Sequence, residues 1–451
     1  MAGAYGHRAR STVGVIALWV LTRAALLLLV FKVPWFWHLP GPDVTSDVSG
    51  IYHGWYEVLR TGTYPLTDVT WQYPPAAAFA ILSPALLPFL GYASAFYVLA
   101  CVCDAAGFAL LLRAGTRPGR STRGAWVWTA GVALLGPTAY ARYDVMVTAV
   151  AVAALLAGIG GVRRRRAAGA AGHPRLMGGL AGLGALLKVW PVLLLLGTPR
   201  GRWTRLSWAS AVMVGAAVVL VCTLYGPGAF AFLTFQRDRG TEVESLGSLV
   251  FHVARHFGWQ GQVLLNYGSV EFMGPYVSAV SDAALGLTAL GFCWLLWWRV
   301  RARVFTTATL CDAAFVAVLV FTTTSRVISP QYMLWLVGLA AVCLVVRESA
   351  MAPPAALVLL ATGVTLLEFP GGFGHVVASD TQGIALLAVR NGLLVAATLT
   401  GARRLWRRAV TGAPPGAADP ADEDGEGDGD GDEDGDGISR DAASDTRATA
   451  G

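Results

Sequence analysis

Charged side chains are sparse in this chain, and several fall together where they could do chemistry. Asp43, Asp47, Glu57 and Asp68 share one stretch rich in aromatic residues, Arg142 and Asp144 flank a tyrosine, Lys188 stands between apolar blocks, and Arg326 precedes Ser329-Pro330-Gln331. A further set comprises Arg237, Asp238, Arg239, Glu242, Glu244, His252, Arg255, His256, Glu368 and His375. A carboxylate can take the proton of an attacking hydroxyl while nearby cations hold a departing phosphate. Arginine grips phosphate through its bidentate fork, and lysine acts as a point charge. Each group also has a plainer reading. Asp47 could cap a surface helix beginning near Val48 and Asp43 could close a turn after Gly41-Pro42. Asp144 could pair with Arg142, and Lys188 could snorkel or bond a carbonyl. His252 and His256, at i and i+4, have metal-ligand spacing but no accompanying glutamate.

The elements that must position these groups lie in a bilayer. The chain is 55% hydrophobic and 14% charged, with a mean hydropathy of +0.55, whereas soluble domains carry charge at roughly a quarter of positions. Apolar blocks long enough to cross about 30 Å of hydrocarbon recur along it. The net charge of +6 conceals two regions: residues 413–451 hold 13 of the 28 acids, and the preceding residues carry 32 bases against 15 acids. That basic excess suits loops on the cytoplasmic side and excludes a separate nucleic-acid domain. The six cysteines fall inside apolar blocks and read as small hydrophobic residues. No P-loop or glycine-rich dinucleotide turn is present, so a phosphorylated donor would arrive in the bilayer.

The expected fold is an all-α polytopic membrane protein of about ten spans, at 11–31, 94–113, 124–141, 144–162, 206–225, 276–298, 304–323, 330–347, 354–370 and 382–402. Keeping the clusters Arg113 to Arg123, Arg163 to Arg166, Arg200 to Arg205, Arg299 to Arg303, Arg347 and Arg403 to Arg408 on one side requires that each of two apolar stretches enters without crossing or crosses twice. Residues 76–90, with Pro84 and Pro88, are predicted as a half-inserted or interfacial helix on the outer side. Residues 177–198, broken at Pro191, are predicted as a re-entrant hairpin with Lys188 at its tip. A membrane domain over 1–412 then carries long outer loops at 32–93 and 226–275, the first with a juxtamembrane helix around Ile51, Trp55, Val58 and Leu59. Long connections are usually functional. Residues 413–451 are predicted as a disordered acidic Gly/Asp-rich tail, both termini being cytoplasmic in a plasma-membrane protein.

Several motifs in order along the chain resemble a known family. Asp47-Val48-Ser49-Gly50-Ile51-Tyr52, Gly62-Thr63-Tyr64-Pro65, Tyr73-Pro74-Pro75, Ser83-Pro84-Ala85-Leu86-Leu87-Pro88, Leu186-Leu187-Lys188-Val189-Trp190-Pro191 and Ser329-Pro330-Gln331-Tyr332 are similar to family-87 glycosyltransferases, the polyprenyl-phosphate-mannose-dependent mannosyltransferases of actinobacteria. The resemblance spans roughly residues 12–345. It implies a GT-C-like helical bundle, a lipid-phosphate sugar donor and a catalytic acid in the first outer loop, which is Asp47 here. Asp43, Tyr73, Arg142, Asp144, Lys188, Arg326 and Gln331 become the expected substrate contacts. The chain departs from the family pattern at Arg142-Tyr143-Asp144 and at Gln331-Tyr332, so its substrate preference can differ.

The expected function is transfer of a hexose, mannose by the resemblance, from a polyprenyl-phosphate donor to a lipid or cell-envelope glycan hydroxyl on the outer face, with inversion. The expected partners are that donor, the glycan or lipid acceptor and membrane lipids. No cofactor is required in principle, although a divalent cation at Asp47 and Asp144 stays open. The competing readings are a transporter or flippase for lipid-linked glycans, which predicts inverted repeats, and a non-catalytic scaffold, which would tolerate loss of Asp47.

Overall fold

The computed structural model describes residues 2–34, 41–160, 172–233 and 240–412, with side chains from Ser11 onward. The predicted tail 413–451, Arg163 to Arg166 and Arg237 to Arg239 lie outside the described residues. In chain order the helices are α1 (Ala2–Val30), α2 (His53–Arg60), α3 (Ala77–Leu82), α4 (Tyr92–Gly115), α5 (Arg123–Leu134), α6 (Asp144–Ile159), α7 (Pro174–Leu187) and α8 (Arg202–Tyr225). Then follow α9 (Leu249–Arg255), α10 (Val277–Arg301), α11 (Thr307–Thr324), α12 (Tyr332–Val345), α13 (Ala352–Leu366), α14 (Phe373–Ala378) and α15 (Thr381–Ala409). Local chemistry sets several boundaries. Thr306 and Thr309 form a reciprocal capping box at the start of α11, Asp380 accepts from Gly383 N at 2.9 Å to open α15, and Pro330 precedes α12.

Among the described residues, seven helices are long and apolar enough to span a bilayer: Ser11–Val30, α4, α8, α10, α11, Ala352–Gly371 and α15. Three of the ten predicted spans, at 124–141, 144–162 and 330–347, are shorter. α5 ends at Leu134 before a turn at Gly136–Ala139, α6 has 16 residues and α12 has 14. At 1.5 Å per residue α12 reaches only about 21 Å. Its residues from Met333 to Cys343 are buried, and a helix wrapped by protein need not match the lipid thickness.

Neither of the two stretches expected not to cross forms a continuous helix of spanning length. α3 and the turn Ser83–Leu86 are too short to span, and Tyr92 O–H returns to Ile81 O at 3.1 Å. α7 stops at Lys188, whose backbone turns extended, and the 3-10 turn Trp190–Leu195 leads back against it. α7 and α8 then run parallel in close contact, because Gly178 and Gly182 present no side chain. A Cβ at these positions would stand 2.0 Å from Ser207 O and 2.4 Å from Ala211 O. Small residues four apart allow helices in lipid to approach in this way.

The all-helical expectation omitted one element. Strands β1 (Thr241–Glu242), β2 (Gln262–Asn266) and β3 (Ser269–Met273) form an antiparallel sheet in the order β1-β3-β2, with Glu242 opposite Glu271. Tyr267 and Gly268 both take positive φ, the geometry of a two-residue hairpin turn. Phe272 of β3 packs against Phe251, His252 and Trp259.

The described basic clusters meet at one end of the bundle. Arg347 Nε donates to Arg120 O at 3.0 Å, Arg200 Nη2 to Arg299 O at 2.9 Å, Arg408 to Glu348 O, and Arg303 N to Ala409 O at 2.7 Å. The first loop, the hairpin tip and the sheet lie at the other end.

Candidate active site

At that other end the loops enclose a cavity of about 750 Å³, within the size range of small-molecule sites. Asp43, Asp47, Tyr73, Arg142, Lys188, Arg326 and Gln331 all line it, and Asp144 lies buried behind Lys188. The eight residues singled out from sequence therefore come from five separate segments to one place.

Their pairing differs from the simple expectation. Arg142 does not pair with Asp144, two residues on. Its Nη2 meets Asp47 Oδ2 at 2.5 Å, and its Nη1 donates to Ala141 O at 2.9 Å. Asp47 opens the helical turn Asp47–Tyr52, and its carboxylate points to Arg142 instead of capping the helix. Asp144 begins α6, where the helix dipole favours an acid. Its Oδ1 accepts from Lys188 Nζ at 2.5 Å and from Trp335 Nε1 at 2.6 Å. Two crossed acid–base pairs thus stand side by side in sequence and join three distant segments.

Lys188 occupies an aromatic box. Its ammonium lies 5.4 Å from the ring centre of Tyr73, 5.1 Å from Tyr143, 5.7 Å from Tyr332 and 5.0 Å from Trp335, within cation–π range. Trp335 stacks on Tyr332 at 3.9 Å and on Trp190 at 5.5 Å. The hairpin tip is held from outside by Tyr143 O–H, which donates to Leu187 O at 3.4 Å, and by Ala76 N, which donates to Leu186 O at 3.0 Å.

The far wall is acidic. Glu242 N donates to Arg326 O at 3.1 Å, Ser329 Oγ donates to Glu242 Oε1 at 2.9 Å, and Arg326 Nη1 reaches Ser281 Oγ at 3.4 Å. Behind them Arg390 lies 3.3 Å from Glu244 Oε1 and 3.0 Å from Glu368 Oε2. Burial, followed by the charges of Glu368 and Glu242, pushes the Glu244 carboxyl well above the usual glutamate range despite Arg390. Asp43 forms a turn, accepting from Thr45 N at 3.0 Å and Thr45 Oγ1 at 2.7 Å and pairing with Lys32 at 2.5 Å. Burial opposes its charge, yet the bonds from Lys32 and Thr45 outweigh that and hold the carboxyl below its ordinary value.

Other groups considered from sequence sit elsewhere in structural roles. His252 bonds Ser379 Oγ at 2.7 Å and Val243 O at 2.8 Å, and His256 bonds Ser379 O at 2.8 Å, so the pair clamps α9 to the turn before α15. His375 pairs with Asp380, and Asp68 accepts from Trp55 Nε1. Sequence reasoning passed over Arg390 and Trp335 and gave Trp190 only as part of a motif. The charge of Arg390 within a long apolar helix was the available signal for one of them. Among the described residues, a group of three metal-type ligands within 4.8 Å occurs at Cys311, Asp312 and Cys343, in α11 and α12 and outside the residues lining this cavity.

The description of glycosyltransferase family 87 matches residues 71–330, more than half of the chain. No curated protein sequence matches. Among solved structures, the chain is similar to ArnT from Cupriavidus metallidurans in the apo state, with a TM-score of 0.43 and 16% identity over 91% of this chain and 78% of that one.

Proposed function

This chain belongs to glycosyltransferase family 87, and from that premise we propose that it moves mannose from polyprenyl-phosphate mannose to a hydroxyl of a lipid or cell-envelope glycan. It is a membrane glycosyltransferase; the sugar, the donor and the mechanism are what the proposal adds. The reaction is placed on the outer face of the plasma membrane, with both termini and the basic end in the cytoplasm.

The convergence of Asp47, Arg142, Lys188 and Arg326 on one cavity carries this reading. The acceptor oxygen attacks the anomeric carbon and gives its proton to the Asp47 carboxylate, which Arg142 holds in place. The bond from the anomeric carbon to the phosphate oxygen breaks, and polyprenyl phosphate leaves with the electron pair. Lys188 and Arg326 stabilise the charge on that phosphate, and attack opposite the leaving group inverts the centre. Asp144 fixes Lys188, while Tyr73 and Tyr332, both half-buried, offer faces against which a sugar ring can stack. Phe232, Leu233, Leu285 and Phe321 line the same cavity and supply an apolar flank for the first isoprene units. Arg142 engages Asp47 Oδ2 and Lys188 engages Asp144 Oδ1, and this reading assigns the leaving charge to Lys188 and Arg326.

Membranes containing wild type or Asp47→Asn would be incubated with polyprenyl-phosphate [14C]mannose and an endogenous acceptor. The variant should transfer at least about 100-fold more slowly, the scale of a lost general base. Equal rates would remove Asp47 from the chemistry. Absence of transfer by wild type, with the labelled lipid changing leaflet instead, would favour the flippase.

A further inference from the structure

A second hollow, of about 890 Å³, opens at the basic end of the bundle between α4, α6 and α7. Each helix gives it one stripe at helical spacing: Leu110, Arg113, Ala114 and Arg117 from α4 and the turn after it; Ala153, Leu156, Ala157 and Gly160 from α6 and its end; and His173, Leu176 and Leu180 from the start of α7. These stripes are in phase. The residues near the end of the bundle are Arg113, Arg117, Arg120 and His173, and those one to two turns deeper are Leu110, Leu156, Leu176 and Leu180. Ala153 and Ala157 form the floor, which makes a trough where larger side chains would fill the space. From His173 to Leu180 or from Ala153 to Gly160 the trough extends about 10 Å along the helix axes.

The basic mouth is built and not merely crowded. Arg120 is buried, and its Nη2 donates to Ile159 O at 3.2 Å while its carbonyl accepts from Arg347 Nε at 3.0 Å, which closes the end of the trough. The side chains of Arg113 and Arg117 have no ion pair or hydrogen bond among the described residues. A soluble anion would use the arginines and leave the trough empty, and a neutral lipid would use the trough and leave the arginines uncompensated. We propose that this groove binds one anionic glycerophospholipid, its phosphate against Arg113 and Arg117 and an acyl chain along Ala153 and Ala157. The site is separate from the reaction cavity, since α6 runs from Asp144 at that cavity to Gly160 at this groove.

Native mass spectrometry of the purified protein, loaded with equal phosphatidylglycerol and phosphatidylcholine of identical chains, should retain phosphatidylglycerol preferentially. Arg113→Gln/Arg117→Gln should bind it roughly 30-fold more weakly, from about 1 kcal/mol for each arginine near a phosphate, while its melting temperature in phosphatidylcholine stays at the wild-type value. Ala153→Phe, which fills the floor and keeps the charges, should reduce binding of both lipids. Glycerol 1-phosphate alone should not raise the melting temperature. Equal retention of the two lipids by wild type would overturn the proposal without need of any variant. So would a full response to glycerol 1-phosphate, or an unchanged preference in the double arginine variant.

Discussion

Lys188→Met is the substitution whose cost and whose chemistry can be separated. Asp144 has 1% of its side chain exposed and Lys188 10%, with Nζ 2.5 Å from Oδ1. Deleting the cation leaves a buried carboxylate whose recorded support is Trp335 Nε1 at 2.6 Å. Removing one partner of a buried ion pair costs about 3–5 kcal/mol. Adding Asp144→Asn takes away the orphaned charge and keeps an amide that Trp335 can still bond. The double variant should therefore recover most of the loss, short of about 1 kcal/mol from the four aromatic contacts to the ammonium. Stability would be read by unfolding the purified protein in mixed micelles of rising SDS content, and activity by transfer of labelled sugar. The expected pattern is a destabilised single variant and a near-native double variant, both without transfer. A single variant within about 1 kcal/mol of wild type would refute the compensation argument. A double variant that transfers at the wild-type rate would refute the role assigned to Lys188.

Three further outcomes follow from buried contacts. Asp104→Ala should cost about 3–5 kcal/mol in the same unfolding assay, because Arg23 would lose partners at 2.7 and 3.0 Å and Trp128 and Tyr140 would lose their acceptor; Asp104→Asn should cost less. Glu244 has a raised carboxyl, so its contribution to stability is complete below the ordinary glutamate range and is lost as pH rises through the folded-state value. Wild type should lose stability on that upward pH scan and Glu244→Gln should flatten the curve; a variant with the wild-type slope would assign the effect elsewhere. Gly178→Val places a side chain against Ser207 O and should force α7 from α8 at a cost of at least about 1–3 kcal/mol, with transfer falling because Lys188 follows directly on α7. An unchanged melting curve would contradict that packing.

The spans were legible because the bilayer imposes a length and an apolar composition that few other structures need. The arginine clusters singled out residues 76–90 and 177–198 as the two stretches that could not each be one full crossing, since a single crossing there would have scattered those clusters over both ends. The sheet was less visible. Its strands are five residues or fewer, and their side chains pack against α9 in a pattern too short to show a period. The three short helices are shorter than the predicted spans, a difference the chain did not show because apolar runs do not reveal whether lipid or protein surrounds them.

The candidate site divides along a similar line. Asp47, Arg142, Asp144 and Lys188 stood out individually, because an ionisable side chain in or beside an apolar block is costly to keep there. Their partners could not be read off the chain. Arg142 and Asp144 are two residues apart, yet one reaches back to Asp47 and the other forward to Lys188. Sequence by itself determined which residue types were present, that the fold must satisfy its backbone within helices in lipid, and that the basic segments share one end. Only the tertiary structure decided who pairs with whom, because side-chain contacts between helices depend on rotation and depth, and no spacing along the chain records either quantity.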